Sequence, residues 1–154
     1  MKLTDFISER SISCELASSE KGRILAELSG LLALGSRGVR ADEILKVLAE
    51  RERIATTGIG DGVAIPHGRM PGLARVIAAI GVSQDGVPFD SVDGADVHLF
   101  VALLSPAGAP AADHLRVLGQ LSRLLRDAAF RGRVGEQRTA AGILAVFAAA
   151  EEGS

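Results

Sequence analysis

The sequence predicts an α/β fold: a mixed central β-sheet flanked by helices on both faces. Three observations point there. Arg75 to Val82 and Val97 to Leu104 are near-continuous apolar runs, as in strands covered on two faces. The segments before and after them carry apolar residues at helical spacing. Between the first helical segments and the runs lies Gly58-Ile59-Gly60-Asp61-Gly62, too glycine-rich for a helix interior.

Taken in order, Ser19 is placed to cap a helix from about Glu20 to Leu34. Its stripe is Ile24, Leu25, Leu28, Leu31 and Leu32, and Gly35 ends it. A second helix spans about Ala41 to Arg53, with Ile44, Val47 and Leu48 on its stripe and Arg51 at the next stripe position. Val63, Ala64 and Ile65 form a short strand, which Pro66 ends while holding Ile65 extended. Gln84-Asp85-Gly86 is a turn signal between the two long strands. Ser105-Pro106 stops the last strand, and an Ala/Gly/Pro loop leads to a helix from about Ala111 to Arg126. Leu118, Leu121 and Leu125 form its stripe, headed by His114. Asp127 and Thr139 can cap two shorter helices, one holding Phe130 and Val134, the other Ile143, Leu144 and Phe147.

The bulk properties narrow the function. The 154 residues suit one domain over 1–154, large enough to fold without disulfides or metal. Aromatics are 3% of the chain, with no Trp or Tyr, so the core falls to Leu, Ile, Val and Ala. A net charge of −2 and the missing stacking residues argue against nucleic acid. Cys14 is alone, which fits a reducing compartment. The N-terminus lacks a signal-peptide pattern, and no apolar run is long enough for a membrane span. A soluble cytoplasmic protein without stable membrane insertion is expected. The three His and Cys14 lack metal-ligand spacing, so no metal is expected, and no cofactor. Ser105 lies outside any Gly-x-Ser-x-Gly elbow.

The chemistry concentrates in Thr56 to Gly68. A Gly-rich loop exposes backbone N–H groups that can hold an oxyanion. A strand then delivers His67 between Pro66, which fixes the backbone, and Gly68, which leaves room beside the ring. A neutral imidazole is a competent nucleophile near neutral pH, though a His in an apolar loop can equally be a packing or capping residue. The loop is neither a dinucleotide fingerprint, since Val63 replaces the third Gly, nor a P-loop, since no Gly-Lys-Ser/Thr follows. Arg51 is either a snorkelling helix-end cation or a phosphoryl clamp. His114 is either an edge-of-core residue or a group in a helix first turn that favours an anion. His98, inside a strand, reads as structural.

Thr57-Gly58-Ile59-Gly60-Asp61-Gly62-Val63-Ala64-Ile65-Pro66-His67-Gly68 resembles the active-site segment of bacterial phosphotransferase-system enzyme IIA domains of the fructose/mannitol and nitrogen-regulatory type. The resemblance extends to Arg51-Glu52-Arg53, to Pro88-Phe89-Asp90 and the strand after it, and to Ala112-Asp113-His114-Leu115, covering about residues 3 to 150. It implies a mixed sheet flanked by helices, and phosphorylation of His67 by a small His-containing phosphocarrier protein charged from phosphoenolpyruvate. It also implies that Arg51 binds phosphoryl oxygens and that His114 assists by hydrogen bonding. Thr56 falls at a small hydroxyl position near the site, and Thr56, Gly60 and Gly68 are expected to support the phosphoryl group. Ile59, Val63 and Met70 could line an apolar docking rim or belong to the core.

Two roles share this His. In one, the phosphorylation state regulates other proteins; in the other, a IIB partner takes the phosphoryl group on to a sugar. The Thr-Gly-Ile-Gly-x-Gly stretch and the stand-alone form resemble the nitrogen-regulatory branch, which is the expected role. Thr56 in place of Ser and the Ala-rich loop from Ala107 to Ala112 depart from the family pattern. A binding or sensor module that kept the fold without transfer is the further alternative.

Overall fold

The computed structural model describes residues 2–36 and 38–152. Short 3-10 turns at Leu3–Asp5 and Glu9–Ser11 lead to strand β1 (Ile12–Ser13). Helices α1 (Lys21–Leu34) and α2 (Ala41–Ile54) follow. Then come β2 (Gly58–Gly60), β3 (Val63–Ala64), β4 (His67–Met70), β5 (Ile77–Val87) and β6 (Val97–Pro106). Helices α3 (Ala111–Leu125), α4 (Ala128–Glu136) and α5 (Ala140–Glu152) complete the described residues.

β6 is the axis of a six-stranded mixed sheet ordered β1-β5-β6-β3-β2. It pairs antiparallel with β5 along one side. Along the other it pairs in parallel, first with β3 at Leu99 and Phe100, then with β4 from Leu103 to Pro106. Successive β6 side chains divide between two cores, because a strand's side chains alternate faces. Leu99, Val101 and Leu103 pack with Val117, Leu121, Phe130 and Phe147 of α3, α4 and α5. Phe100, Ala102 and Leu104 pack with Ile24, Leu28, Ile44 and Leu48 of α1 and α2. Both faces are therefore covered, as the continuous apolar runs require. Among the described residues no helix is long and apolar enough to cross a membrane.

Several local expectations need correction. Ser19 does not cap α1: Glu20 holds the cap position without a side-chain bond. The Glu27 carboxylate instead accepts the N–H groups of Ala17 and Ser18, tying the incoming chain to the helix. Gln84-Asp85-Gly86 does not end β5. The pairing jumps from Val82↔Leu99 to Val87↔Val97, so these residues form a bulge within the strand. Ser83 anchors it: its Oγ accepts from Gly86 N at 3.1 Å, and its carbonyl lies 3.0 Å from His98 Nδ1. This is the structural work of His98. The loop of residues 88–96 makes the reversal, with Asp90 and Gly94 at positive φ. Three short strands, β1, β2 and β4, have no signal in the hydrophobic pattern. Asp127 does cap α4, accepting from Ala129 N and Phe130 N, and Thr139 Oγ1 accepts from Gly142 N at 3.0 Å.

Gly68 shows why one position of β4 must lack a side chain. A Cβ there would lie 2.5 Å from Val47 Cγ1. The missing side chain thus makes room for α2, which packs directly on β4 on the face opposite the His67 ring. Gly68→Ala is expected to destabilise the protein by about 1–3 kcal/mol through overpacking. Adding Val47→Ala should recover part of that loss. Urea denaturation of both single variants and the double variant checks the coupling.

Candidate functional site

The site is built on β4. Its side chains alternate, with His67 and Arg69 half-buried on one face and Gly68 and Met70 buried on the other. Parallel pairing sets His67 opposite Leu103 and Arg69 opposite Ser105, and the Pro66 carbonyl accepts from Leu103 N at 2.9 Å. His67 Nδ1 lies 2.7 Å from the Ile65 carbonyl oxygen. A carbonyl can only accept, so Nδ1 carries the hydrogen and Nε2 keeps its lone pair. Burial lowers the pKa of the ring. The Ile65 bond pushes it back up, the Arg51 charge lowers it and Glu52 raises it, and the net direction is down. The lowered pKa favours the neutral imidazole, with Nδ1 protonated and the lone pair on Nε2.

His114 stands beside it. The two ring centroids are 5.6 Å apart and tilted by 48°. His114 is buried at the start of α3, on the face that also presents Val117, Leu121 and Leu125 to the core. Ser105 Oγ, at the end of β6, lies 2.6 Å from His114 Nδ1. Burial, then the charges of His67 and Arg69, lower the His114 pKa. Arg69 Nη2 donates to Ala107 O at 2.9 Å and to Ala109 O, clasping the loop that leads into α3. Its Nε is buried without a hydrogen-bond partner among the described residues.

Arg51 reaches the site from the last turn of α2. Its Nη1 donates to Ala55 O at 2.8 Å, closing the helix end. Its charge also acts on His67, so helix capping and proximity to the imidazole coexist in one side chain. Next to it, the buried carboxylate of Glu52 accepts from Thr57 N at 2.9 Å and Thr57 Oγ1 at 2.6 Å, and pairs with Lys21 Nζ at 2.9 Å. Thr57 O in turn accepts from Ile65 N at 3.0 Å.

The structure thus sets His67 and His114 side by side, with Arg51 near enough for its charge to lower the His67 pKa. The three supporting positions have other contacts. Thr56 Oγ1 donates to Phe89 O at 3.0 Å and accepts from Gly58 N at 3.1 Å, stitching the glycine-rich loop to the loop after β5. Gly60, at φ +99°, turns the β2–β3 hairpin beside Asp93. Gly68 admits α2. Val63 and Met70 are core, and Ile59 is exposed. Ile54 and Leu115, beside Arg51 and His114 in the chain, are more exposed still. Sequence reasoning missed Arg69, because it shares a face with His67 only if residues 67–70 form a strand. From sequence alone Ser105 reads as a strand end outside any nucleophile elbow. Its role depends on the register that sets it under the start of α3.

The family described as "Phosphoenolpyruvate-dependent sugar phosphotransferase system, EIIA 2" matches residues 5–150. A nitrogen regulatory protein of Bradyrhizobium diazoefficiens is 37% identical over 96% of this chain and 95% of its own. One from Pseudomonas aeruginosa is 34% identical over 86% of each. The crystal structure of the nitrogen regulatory protein IIA-Ntr from Neisseria meningitidis superposes with a TM-score of 0.87 at 28% identity, covering 94% of this chain and 98% of that one. Mixed sheet, helical layers and sequence agree, and the chain belongs to the EIIA type 2 family of the phosphoenolpyruvate-dependent phosphotransferase system.

Proposed function

We propose that His67 Nε2 accepts a phosphoryl group from a small His-containing phosphocarrier protein, and that the phosphorylated and free states of this chain regulate other proteins. The observation that carries the reading is the bond from His67 Nδ1 to the Ile65 carbonyl. It leaves Nε2 free and unprotonated, next to a second imidazole.

In the transfer step a bond forms between Nε2 and phosphorus as the phosphorus–nitrogen bond to the donor ring breaks. The electron pair returns to the donor nitrogen. The hydrogen on His67 Nδ1 stays with Ile65 throughout, and its bond steadies the positive charge that develops on the ring. Phosphoryl transfer asks for alignment and charge neutralisation more than further covalent chemistry. Arg51 has guanidinium N–H groups beyond the one used on Ala55, and His114 can donate to a phosphoryl oxygen. Ile54, in the same helix turn as Arg51, and Leu115, next to His114, are exposed and suit docking of a carrier.

The regulatory role rests on the similarity to nitrogen regulatory proteins along nearly the whole chain. A transport role is the second reading. It is favoured by 36% identity to a fructose-specific EIIA component of Haloferax volcanii over 74% of this chain. A fructose-specific EIIABC component of Bacillus subtilis is 30% identical over 96% of this chain, which spans 23% of that relative. Release of the phosphoryl group to a IIB domain would favour transport; its retention would favour regulation.

Incubation with phosphoenolpyruvate, the general phosphotransferase enzyme and a carrier should add one acid-labile phosphoryl group by intact mass. His67→Ala should abolish it, and no gain in folded wild-type protein would refute the acceptor reading. The lowered pKa of His67 sets the pH dependence. The nucleophile is the neutral ring, so the single-turnover rate should be level from pH 8 to about 6.5, the ordinary His value. It should fall only as pH drops through the lowered pKa. A fall already centred above 6.5 would contradict the assignment. Leu115→Glu should slow transfer from the carrier by roughly ten-fold, the scale of losing one well-packed interface contact, without changing thermal stability.

A further inference from the structure

We infer that Ser105 is a positioning residue that sets the tautomer of His114, making His114 Nε2–H the hydrogen-bond donor toward the phosphoryl group on His67. The inference rests on the acceptor role of His67 for its purpose, but its geometry stands independently.

The argument is one of hydrogen-bond accounting. Ser105 is 2% exposed, so its hydroxyl hydrogen has no access to water. Its Oγ makes one side-chain contact among the described residues, to His114 Nδ1 at 2.6 Å. Two arrangements satisfy that distance. If Nδ1–H donated to Oγ, the serine hydrogen would be buried with no acceptor, at the cost of an unmade hydrogen bond. If the serine hydroxyl donates to Nδ1, both groups are satisfied. The second arrangement leaves the hydrogen of the neutral His114 ring on Nε2. Burial, with the Arg69 charge, lowers the pKa of the ring and so disfavours protonation at both nitrogens.

The two histidines then carry opposite tautomers. Ile65 holds the hydrogen of His67 on Nδ1, leaving a lone pair at Nε2. Ser105 holds that of His114 on Nε2, leaving a donor. A neutral donor beside a neutral nucleophile can bond an arriving phosphoryl oxygen without competing for a proton with His67. The clasp of Arg69 on Ala107 and Ala109 keeps the start of α3 in place over Ser105.

The test combines tautomer and rate. Two-bond proton–nitrogen correlation spectra of protein labelled with 15N-histidine should show His114 as the Nε2–H form at pH 7.5. Ser105→Ala should lose that preference, and Ser105→Thr, which keeps the hydroxyl, should retain it. Phosphorylation from the carrier should slow on the order of ten-fold in Ser105→Ala, the scale of one hydrogen bond to a charged group, and recover in Ser105→Thr. An Nδ1–H tautomer in the wild type, or an unchanged His114 spectrum in Ser105→Ala, would overturn the assignment. A lost tautomer with an unchanged transfer rate would overturn the positioning role. Failure of wild-type His67 to be phosphorylated would count against the acceptor reading alone, since the tautomer spectra do not depend on it.

Discussion

The buried Glu52 carboxylate is the contact on which the site's geometry depends. It is 8% exposed, so its charge must be met by hydrogen bonds and a cation. Both partners are structural: Thr57 gives its N–H and hydroxyl, and Lys21 gives its ammonium from α1. The same Lys21 lies 4.7 Å over the Phe89 ring and 3.3 Å from Asp90. The Glu52–Lys21 pair therefore ties α1, the end of α2, the start of β2 and the loop after β5 to one another. From Thr57 the order runs on by backbone: its carbonyl holds Ile65 N, and the Ile65 carbonyl holds His67 Nδ1. The tautomer of His67 is the last link of a chain that begins at a buried charge.

β6 supplies the other half of the geometry. Near the site it pairs with β5 along one side and β4 along the other, with Leu103 and Ser105 set against His67 and Arg69. Because β4 runs parallel to it, residues at alternate positions of the two strands share a face. That face carries His67 and Arg69, and Ser105 bonds the start of α3 above it. Helix packing on the opposite face requires Gly68. The polar side chains thus occupy one side of a four-residue strand and helix packing the other.

Much of this was legible in the sequence where a pattern is long or chemically specific. The helical stripes of α1, α2 and α3 and the apolar runs of β5 and β6 extend over enough residues to be read from periodicity. The residues alone leave Arg51 and His114 open between structural and site roles; the resemblance of the His67 segment to a known family is what singles out all three. What escaped notice depends on pairing between distant segments. β4 is four residues with two polar side chains, so only its register with β6 makes it a strand. Arg69 and Ser105 acquire their positions from that register. Gln84-Asp85-Gly86 has turn chemistry, and the chain uses it for a bulge, because the β5 strand resumes its pairing at Val87 beyond it. Thr56 and Gly60 proved to be loop fasteners in their observed contacts, which local sequence does not separate from ligand-facing positions.

The central claim is that the backbone, through the Ile65 carbonyl, chooses the reacting atom of His67. The most direct measurement is phosphorus–nitrogen coupling in 15N-histidine-labelled protein after phosphorylation. The account predicts that phosphorus couples directly to Nε2 of His67, with the hydrogen still on Nδ1. A phosphoryl group attached to His67 Nδ1, or to His114, would contradict it.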